Sequence, residues 1–506
     1  MAEGLAGKVA IECGDVQVTY RELFRSVNRF GNGLKSLGVR IEERVLLLLL
    51  DCPEFAMSFF GAIKIGAVPV PVNTLLKADD YKYLLNDSRA RVAVVSESLL
   101  PLIDAIPQNE LQYLENVVVV GRGDREGVPQ RPLLDFEDLI ATNADQLEAA
   151  RTSKDDAAFW LYSSGSTGRP KACVHLQHDM VVSSECYAKA ILRITSDDRF
   201  FSVAKLFFAY GLGNALYFPL SVGGTSILLS GPPRPQDVFD TIARYRPTLF
   251  FSVPSNYVKL LAHEAPDGHQ FDLSSVRHAV SAGEALPGSV FLRFKERFGV
   301  EILDAIGSTE GLHMMISNSP GAVRPGSSGK VLPGFEAKIV DENDRPVTRG
   351  EIGNLIVKGD SACSCYWNQH EKTKSTFSGD WLRTGDKYYQ DPDGYFWYSG
   401  RADDMVKVSG VWVSPIEIER VLSEHPAVQE AAVVFRSDVD ELPKPSAFVV
   451  LRNGAEGDKH LAKELEDFVI SRLAIYKRPR WIEFLTELPK TATGKIQRFK
   501  LRESSK

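Results

Sequence analysis

Tyr162-Ser-Ser-Gly-Ser-Thr-Gly-Arg-Pro-Lys171 is a short run of hydroxyls, glycines and one lysine, placed directly behind an apolar segment at 157–161. Ser163, Ser164, Ser166 and Thr167 supply the hydroxyls, and Gly165 and Gly168 let the backbone turn its N–H groups inward. A loop of this kind converges on an anion, and Lys171 adds a mobile positive charge. It is not a Walker A loop, because Ala172 and not Ser or Thr follows the lysine. A flexible Ser/Gly linker is the plainer alternative, but linkers seldom sit directly behind a buried-strand pattern. The stretch therefore reads as a phosphate grip at the end of a strand.

Outward from this loop the chain alternates between helix and strand signals. Thr19 and Glu22 form a capping-box pattern before a helix with Leu23, Val27, Phe30, Leu34 and Leu37 on one face and Gly38 behind it. Apolar runs at 45–50, 67–72, 92–95 and 117–120 predict strands, and Pro53 opens a helix between the first two. Beyond the loop, 199–203, 225–229, 248–253 and 300–306 are strand-like, and 235–245 and 255–264 are helix-like. Helices between buried strands imply parallel sheets covered on both faces. From about Ser327 the pattern changes to short strands with Gly and Pro turns, and a break falls at 400–404. The expected fold class is α/β: a large N-terminal domain (1–400) of parallel sheets with flanking helices plus a small β subdomain, and a small mobile α+β C-terminal domain (401–506). Ser414-Pro-Ile-Glu417 is a capping box that starts the first helix of the small domain.

The chain has 506 residues, with 59 Lys plus Arg against 66 Asp plus Glu, a net charge of −7. Such a chain has no general attraction to nucleic acid or to an anionic membrane, so any anionic ligand must be held by local positive groups. Its six cysteines contain no CxxC pair, which fits a reducing compartment, and Cys363 and Cys365 read as alternate positions of a strand. Segment 1–15 lacks the pattern of a signal peptide, and the greasiest run, 45–50, is far short of a membrane span. The expectation is a cytoplasmic protein with no nucleic-acid or membrane partner, its oligomeric state open, a homodimer included.

Further motifs follow in order: Ser281-Ala-Gly-Glu-Ala285, Asp304-Ala-Ile-Gly-Ser-Thr-Glu310, Arg383-Thr-Gly-Asp386, Gly400-Arg-Ala-Asp-Asp404, Lys407-Val-Ser-Gly410 and Thr491-Ala-Thr-Gly-Lys495. Each alone is an ordinary turn, cap or charged surface segment. A Thr-Glu pair offers oxygen ligands to a hard cation that bridges phosphates, and an aspartate can accept hydrogen bonds from both hydroxyls of a ribose. Together with the loop at 162–171, this order resembles the adenylate-forming enzymes: acyl- and aryl-CoA ligases, adenylation domains and firefly luciferase. The resemblance spans essentially the whole chain. Two positions depart from the family pattern: Ala172 stands where the family has glycine, and Ile306 where it has an aromatic residue.

The resemblance implies an enzyme that uses ATP, Mg²⁺ and coenzyme A to activate a carboxylate as its AMP anhydride and pass it to a thiol. It implies that Ser163, Ser164, Gly165, Ser166, Thr167, Gly168 and Lys171 hold phosphates. Gly283, Glu284 and Ala285 would lie along the purine with Asp304, Ala305 and Ile306, in a nucleotide turn completed by Gly307 and Ser308. Thr309 would contact the α-phosphate, Glu310 the metal, Asp386 the ribose and Arg401 the ribose or phosphate. Lys495 would be the catalytic lysine of adenylation, Asp403 the hinge, and Lys407 and Gly410 the CoA-side segment. Lys205-Leu-Phe-Phe-Ala-Tyr-Gly-Leu-Gly-Asn214, Leu312-His313 and Ser317-Asn318 resemble the benzoate-CoA ligase and 4-hydroxybenzoate-CoA ligase branch. That implies an aryl carboxylate, benzoate or a hydroxybenzoate, in a flat slot formed by Ala209, Tyr210, Gly307, His313 and Met314. His313 would hydrogen-bond the carboxylate or a ring hydroxyl. A medium-chain acyl-CoA ligase and an adenylation enzyme that loads a carrier protein share the phosphate motifs and stand as alternatives.

Overall fold

Thr19 caps its helix as the sequence predicts: its side chain accepts the Glu22 N–H, Glu22 reaches back to Thr19, and the helix Tyr20–Ser36 follows. The computed structural model describes residues 3–121, 133–163, 169–265, 268, 270–401, 406–408, 411–438, 443–452, 457–490 and 496–503. Ser164, Gly165, Ser166, Thr167, Gly168, Asp403, Gly410 and Lys495 lie outside the described residues.

The predicted parallel sheets are present. One has five strands in the order Val68–Pro71, Arg44–Leu48, Val92–Ser96, Asn116–Val120, Leu133–Asp135, all parallel. Its central strands are buried on both faces, which is why they read as unbroken apolar runs. A second sheet of nine strands has a parallel centre: Val9–Cys13, Thr225–Leu228, Arg199–Ser202, Leu249–Ser252, His278–Ser281 and Ile302–Gly307. Antiparallel strands extend it on both sides, Val16–Thr19 at one edge and Met314–Ser317 with Lys330–Val331 at the other. Each fully buried valine, leucine or phenylalanine in these strands contributes about 1.5–3 kcal/mol.

The β subdomain is a five-stranded antiparallel sheet of Glu336–Val340, Gly353–Lys358, Phe377–Ser378, Trp381–Gln390 and Phe396–Arg401. Arg401 pairs with Asp386 in this sheet. The small domain packs the helices Pro415–Glu424 and Lys459–Ile470 on a three-stranded sheet of Val428–Ser437, Pro443–Leu451 and Trp481–Leu485. Arg420 joins the two bodies by donating to the Gly326 carbonyl at 3.1 Å.

One local expectation is corrected. Cys363 and Cys365 do not alternate on one strand: only Cys365 is in a strand, Cys365–Tyr366, and buried Cys363 sits in the preceding turn. The Phe207–Phe208 pair lies in a turn, with the Phe208 N–H bonded to the Lys205 carbonyl at 3.0 Å before the helix Ala209–Leu212. Among the described residues no helix is long and apolar enough to cross a membrane.

Candidate active site

The phosphate-grip loop closes a β-hairpin. Strands Ala157–Ser163 and Lys171–Leu176 are antiparallel, with Ser163 opposite Lys171. The loop is thus anchored side by side at its two ends and is not followed by a helix, unlike a strand–loop–helix phosphate site. The short strand Cys365–Tyr366 adds to the same sheet, with Tyr366 opposite Cys173. That register brings the Tyr366 ring beneath the Lys171 ammonium, 4.2 Å from its centroid.

Glu310 meets this hairpin. Its Oε1 accepts from the Tyr366 hydroxyl at 2.7 Å and the Ser163 hydroxyl at 3.2 Å, and the Lys171 ammonium lies 3.8 Å away. Burial opposes the charge of this carboxylate, but the Tyr366 hydroxyl, its own backbone N–H, Lys171 and Ser163 outweigh it and hold the carboxyl below its usual range. These three side-chain contacts fall on Oε1. A buried carboxylate kept ionised is a donor that suits a hard divalent cation.

The turn that carries Glu310 is held from outside. The Thr309 carbonyl accepts from Leu312 N–H at 3.2 Å and lies 2.9 Å from His175 Nε2. The Glu310 carbonyl accepts from Cys363 N–H at 2.7 Å, and the Gly311 carbonyl from the Ser361 hydroxyl at 2.9 Å. Within the turn, Ser308 Oγ accepts from Gly311 N–H at 3.1 Å. Leu312 is left-handed, with φ of 68°, a conformation that costs a non-glycine residue about 1–2 kcal/mol and so needs these outside contacts.

The purine side of the predicted site lies at the carboxyl ends of the parallel strands, where such sheets bind ligands. Ser281 and Asp304 face each other across adjacent strands. Asp304 is buried, with Leu286 N–H 3.4 Å from Oδ2 and no hydrogen-bond partner for Oδ1 among the described residues. Burial pushes its carboxyl well above the usual range, beyond what the Leu286 N–H and the Ser281 hydroxyl restore. Gly283, at φ of 91°, turns the chain out of its strand toward Glu284 and Ala285. Ile306 follows Ala305 in the strand Ile302–Gly307 and is half-buried. Farther along, Asp386 Oδ1 pairs with Arg401 at 2.9 Å, and Arg401 also donates to the Thr384 carbonyl at 3.1 Å. Lys407 lies on the short strand Val406–Val408, opposite Trp412.

The aryl residues form an enclosed aromatic group. The Tyr210 hydroxyl lies 3.1 Å from both the Ser252 and Val280 carbonyls, at the ends of two parallel strands. His313 is ringed by Tyr187, Tyr210 and Phe218 at centroid distances of 5.4, 5.7 and 4.5 Å. Ala209 and Met314 are buried beside them. Gly213 lies in a π-helical turn, Gly213–Tyr217, and a Cβ there would sit 2.4 Å from His313, so only glycine admits the imidazole.

A Cβ at Gly307 would lie 2.1 Å from the His313 carbonyl oxygen, so strand pairing itself requires glycine there. One aryl expectation changes. His313 is not placed to donate to a carboxylate. Its Nε2 faces two acceptors, Asn214 Oδ1 at 3.1 Å and the Tyr210 carbonyl at 3.3 Å, and therefore carries the proton. Burial lowers the imidazole pKa to about 3, so the ring is neutral. Its bare Nδ1 is buried with no hydrogen-bond partner among the described residues, and a bare nitrogen repels a carboxylate but accepts from a hydroxyl or amine.

Tyr366, His175, Asn214 and Asp51 were not singled out from sequence as site residues. No spacing links residue 366 to residue 310, and only the pairing of the Cys365–Tyr366 strand with the hairpin brings them together. Asp51 anchors the aryl segment: its Oδ1 accepts the Leu206 N–H at 3.0 Å, and Oδ2 is 3.7 Å from Lys205. Burial raises its pKa from 3.8 to about 6, against the opposing pull of Lys205 and the Leu206 N–H.

A native carboxyl that keeps its proton to about 6 binds more protons than the unfolded chain between pH 3.8 and 6. Stability from this group is therefore present below pH 3.8 and lost as pH rises toward 6, by on the order of 3 kcal/mol. Melting temperatures of wild type and Asp51→Asn should diverge across this window in favour of the variant, and a difference independent of pH would refute the assignment.

Residues 1–367 match the AMP-binding enzyme family and residues 417–495 match the AMP-binding enzyme C-terminal domain, and the chain belongs to that family. It is 48% identical over 503 residues to a benzoate–CoA ligase of Thauera aromatica, covering 99% of this chain and 93% of that protein. A 4-hydroxybenzoate–CoA/benzoate–CoA ligase of Rhodopseudomonas palustris is 44% identical over 505 residues, covering 99% of this chain and 92% of its own length. Among solved structures, an anthranilate CoA ligase in complex with anthranoyl-AMP superimposes with a TM-score of 0.95 at 46% identity, over 100% of this chain and 95% of that one.

Proposed function

We propose that this chain is an ATP-dependent aryl-CoA ligase acting on benzoate or a hydroxybenzoate. The observation that carries the reading is the near-full-length identity of 48% to a benzoate–CoA ligase. The aromatic enclosure of His313 by Tyr187, Tyr210 and Phe218 is consistent with a planar acid.

In the first half-reaction a carboxylate oxygen of the acid forms a bond to the α-phosphorus of ATP, and the bond from that phosphorus to the pyrophosphate oxygen breaks. The 164–168 loop and Lys171 hold the phosphates by N–H, hydroxyl and ammonium contacts. Thr309 positions the α-phosphate, and Asp386 with Arg401 holds the ribose. Glu310 is the proposed Mg²⁺ ligand, and the ion would offset the charge of the phosphates as pyrophosphate departs. Lys495 supplies positive charge where the acid meets the α-phosphate. In the second half-reaction the CoA sulfur attacks the acyl carbon, the thiol proton is lost and AMP leaves. Rotation of the small domain about Asp403 withdraws Lys495 and brings the Lys407–Gly410 segment to the site.

The neutral His313 accepts at Nδ1 a hydrogen bond from a ring hydroxyl or amine, which satisfies a buried nitrogen otherwise unpaired at a cost of about 1–3 kcal/mol. The test is AMP release with ATP, Mg²⁺ and CoA over benzoate, 4-hydroxybenzoate, 2-aminobenzoate, cyclohexanecarboxylate and octanoate. Planar aryl acids should exceed the other two at least tenfold in kcat/KM. Replacement of His313 by phenylalanine should erase the preference among ring substituents. Preference for octanoate would sink the aryl reading while leaving the family intact.

A further inference from the structure

His175 belongs to none of the nucleotide motifs, yet it ties two of them together. It lies on the strand Lys171–Leu176 that begins with the phosphate-grip lysine, and its side chain is fully buried. Its ring stacks on Phe159 at 5.1 Å and 18°. Nδ1 is 2.8 Å from Asp179 Oδ2, and Nε2 is 2.9 Å from the Thr309 carbonyl oxygen. A carbonyl only accepts, so Nε2 carries a proton and donates it to Thr309. Asp179 holds the ring in this orientation through Nδ1, and its own Oδ2 is fixed by Leu176 N–H at 3.1 Å.

We propose that His175, aligned by Asp179, is a positioning residue that sets the Thr309–Glu310 turn in register with Lys171. The reason lies in what the turn must do. It holds Leu312 at φ of 68°, so it relaxes unless its carbonyls are tied from outside. Cys363 N–H ties the Glu310 carbonyl, and the Ser361 hydroxyl ties the Gly311 carbonyl, to the loop behind them. His175 alone of these donors comes from the strand that carries Lys171. Losing it leaves the Thr309 carbonyl held by the Leu312 N–H of its own turn, with no tie to the Lys171 strand, and lets the Glu310 carboxylate drift from Lys171, 3.8 Å away. The inference rests on the reading of Glu310 as the metal-side residue.

The test compares His175→Phe, which keeps the stacked ring without a donor, with His175→Gln, whose amide nitrogen reaches the Nε2 position. Three quantities are measured on the full chain: KM for MgATP and for the aryl acid in pyrophosphate exchange, MgATP affinity by calorimetry, and hydrogen exchange of the 308–314 peptide. His175→Phe should weaken MgATP binding about tenfold and speed exchange of that peptide, with KM for the acid changed less than twofold. His175→Gln should recover most of both losses. If His175→Phe does not fold, His175→Asn, too short to reach Thr309, takes its place in the comparison. Unchanged MgATP affinity, equal loss for both substrates, or failure of Gln to rescue would overturn the proposal. If Glu310→Gln leaves MgATP affinity intact, the reading of Glu310 fails instead.

Discussion

Glu310→Gln should lower aryl-acid-dependent pyrophosphate exchange by about a hundredfold to a thousandfold, the range found when one preorganised charged or polar group is taken from a transition state. The wild-type carboxylate stays ionised in a buried place because Tyr366, Ser163 and Lys171 converge on its Oε1. The amide that replaces it has no charge for a cation and presents a donor that competes with Tyr366 and Lys171. Lys171 also loses the Glu310 carboxylate, while the Tyr366 ring stays 4.2 Å from its ammonium. The loss should show as a raised Mg²⁺ requirement and weaker MgATP binding, with the acid's KM little affected. An exchange rate within threefold of wild type would remove Glu310 from the metal-side role.

Lys495→Ala should have an effect of similar size confined to one half-reaction. Charge on a mobile domain that reaches the reacting phosphate only during adenylation contributes several kcal/mol to that step and nothing to the next. Pyrophosphate exchange should fall at least a hundredfold, while CoA attack on supplied benzoyl-AMP proceeds within about threefold of wild type. Equal loss of both half-reactions would mean that the lysine supports the fold or both states, and the alternation of domains would lose its main support.

The two predictions draw on different kinds of information. The Lys495 prediction is legible in sequence, because Thr491-Ala-Thr-Gly-Lys495 is an ordered local motif and the resemblance to adenylate-forming enzymes, carried by the order of the motifs, implies its role. The size of the Glu310 prediction is not, because it depends on Tyr366, which reaches Glu310 only through the pairing of Cys365–Tyr366 with the hairpin. The same division holds for the aryl group. The small residues around Ala209 and Gly213 are visible as a pattern, but the protonation of His313 follows from Asn214 and the Tyr210 carbonyl lying within 3.3 Å of its Nε2.

By itself the sequence determined the alternating α/β architecture with a large N-terminal and a smaller C-terminal domain, and the order of the motifs that resemble the adenylate-forming enzymes. These rest on local signals: apolar runs that suit buried parallel strands, caps that start helices, and short loops whose chemistry is complete within ten residues. Tertiary structure alone decided that the grip closes a hairpin and that Gly307 is small for strand contact. It also decided that His313 is a neutral acceptor, that Asp51 titrates near 6, and that the Thr309–Glu310 turn hangs on His175, Ser361 and Cys363. The physical reason is that pairing register, burial and hydrogen-bond partners join residues far apart in the chain, and periodicity along the chain carries no record of which distant group a side chain will face.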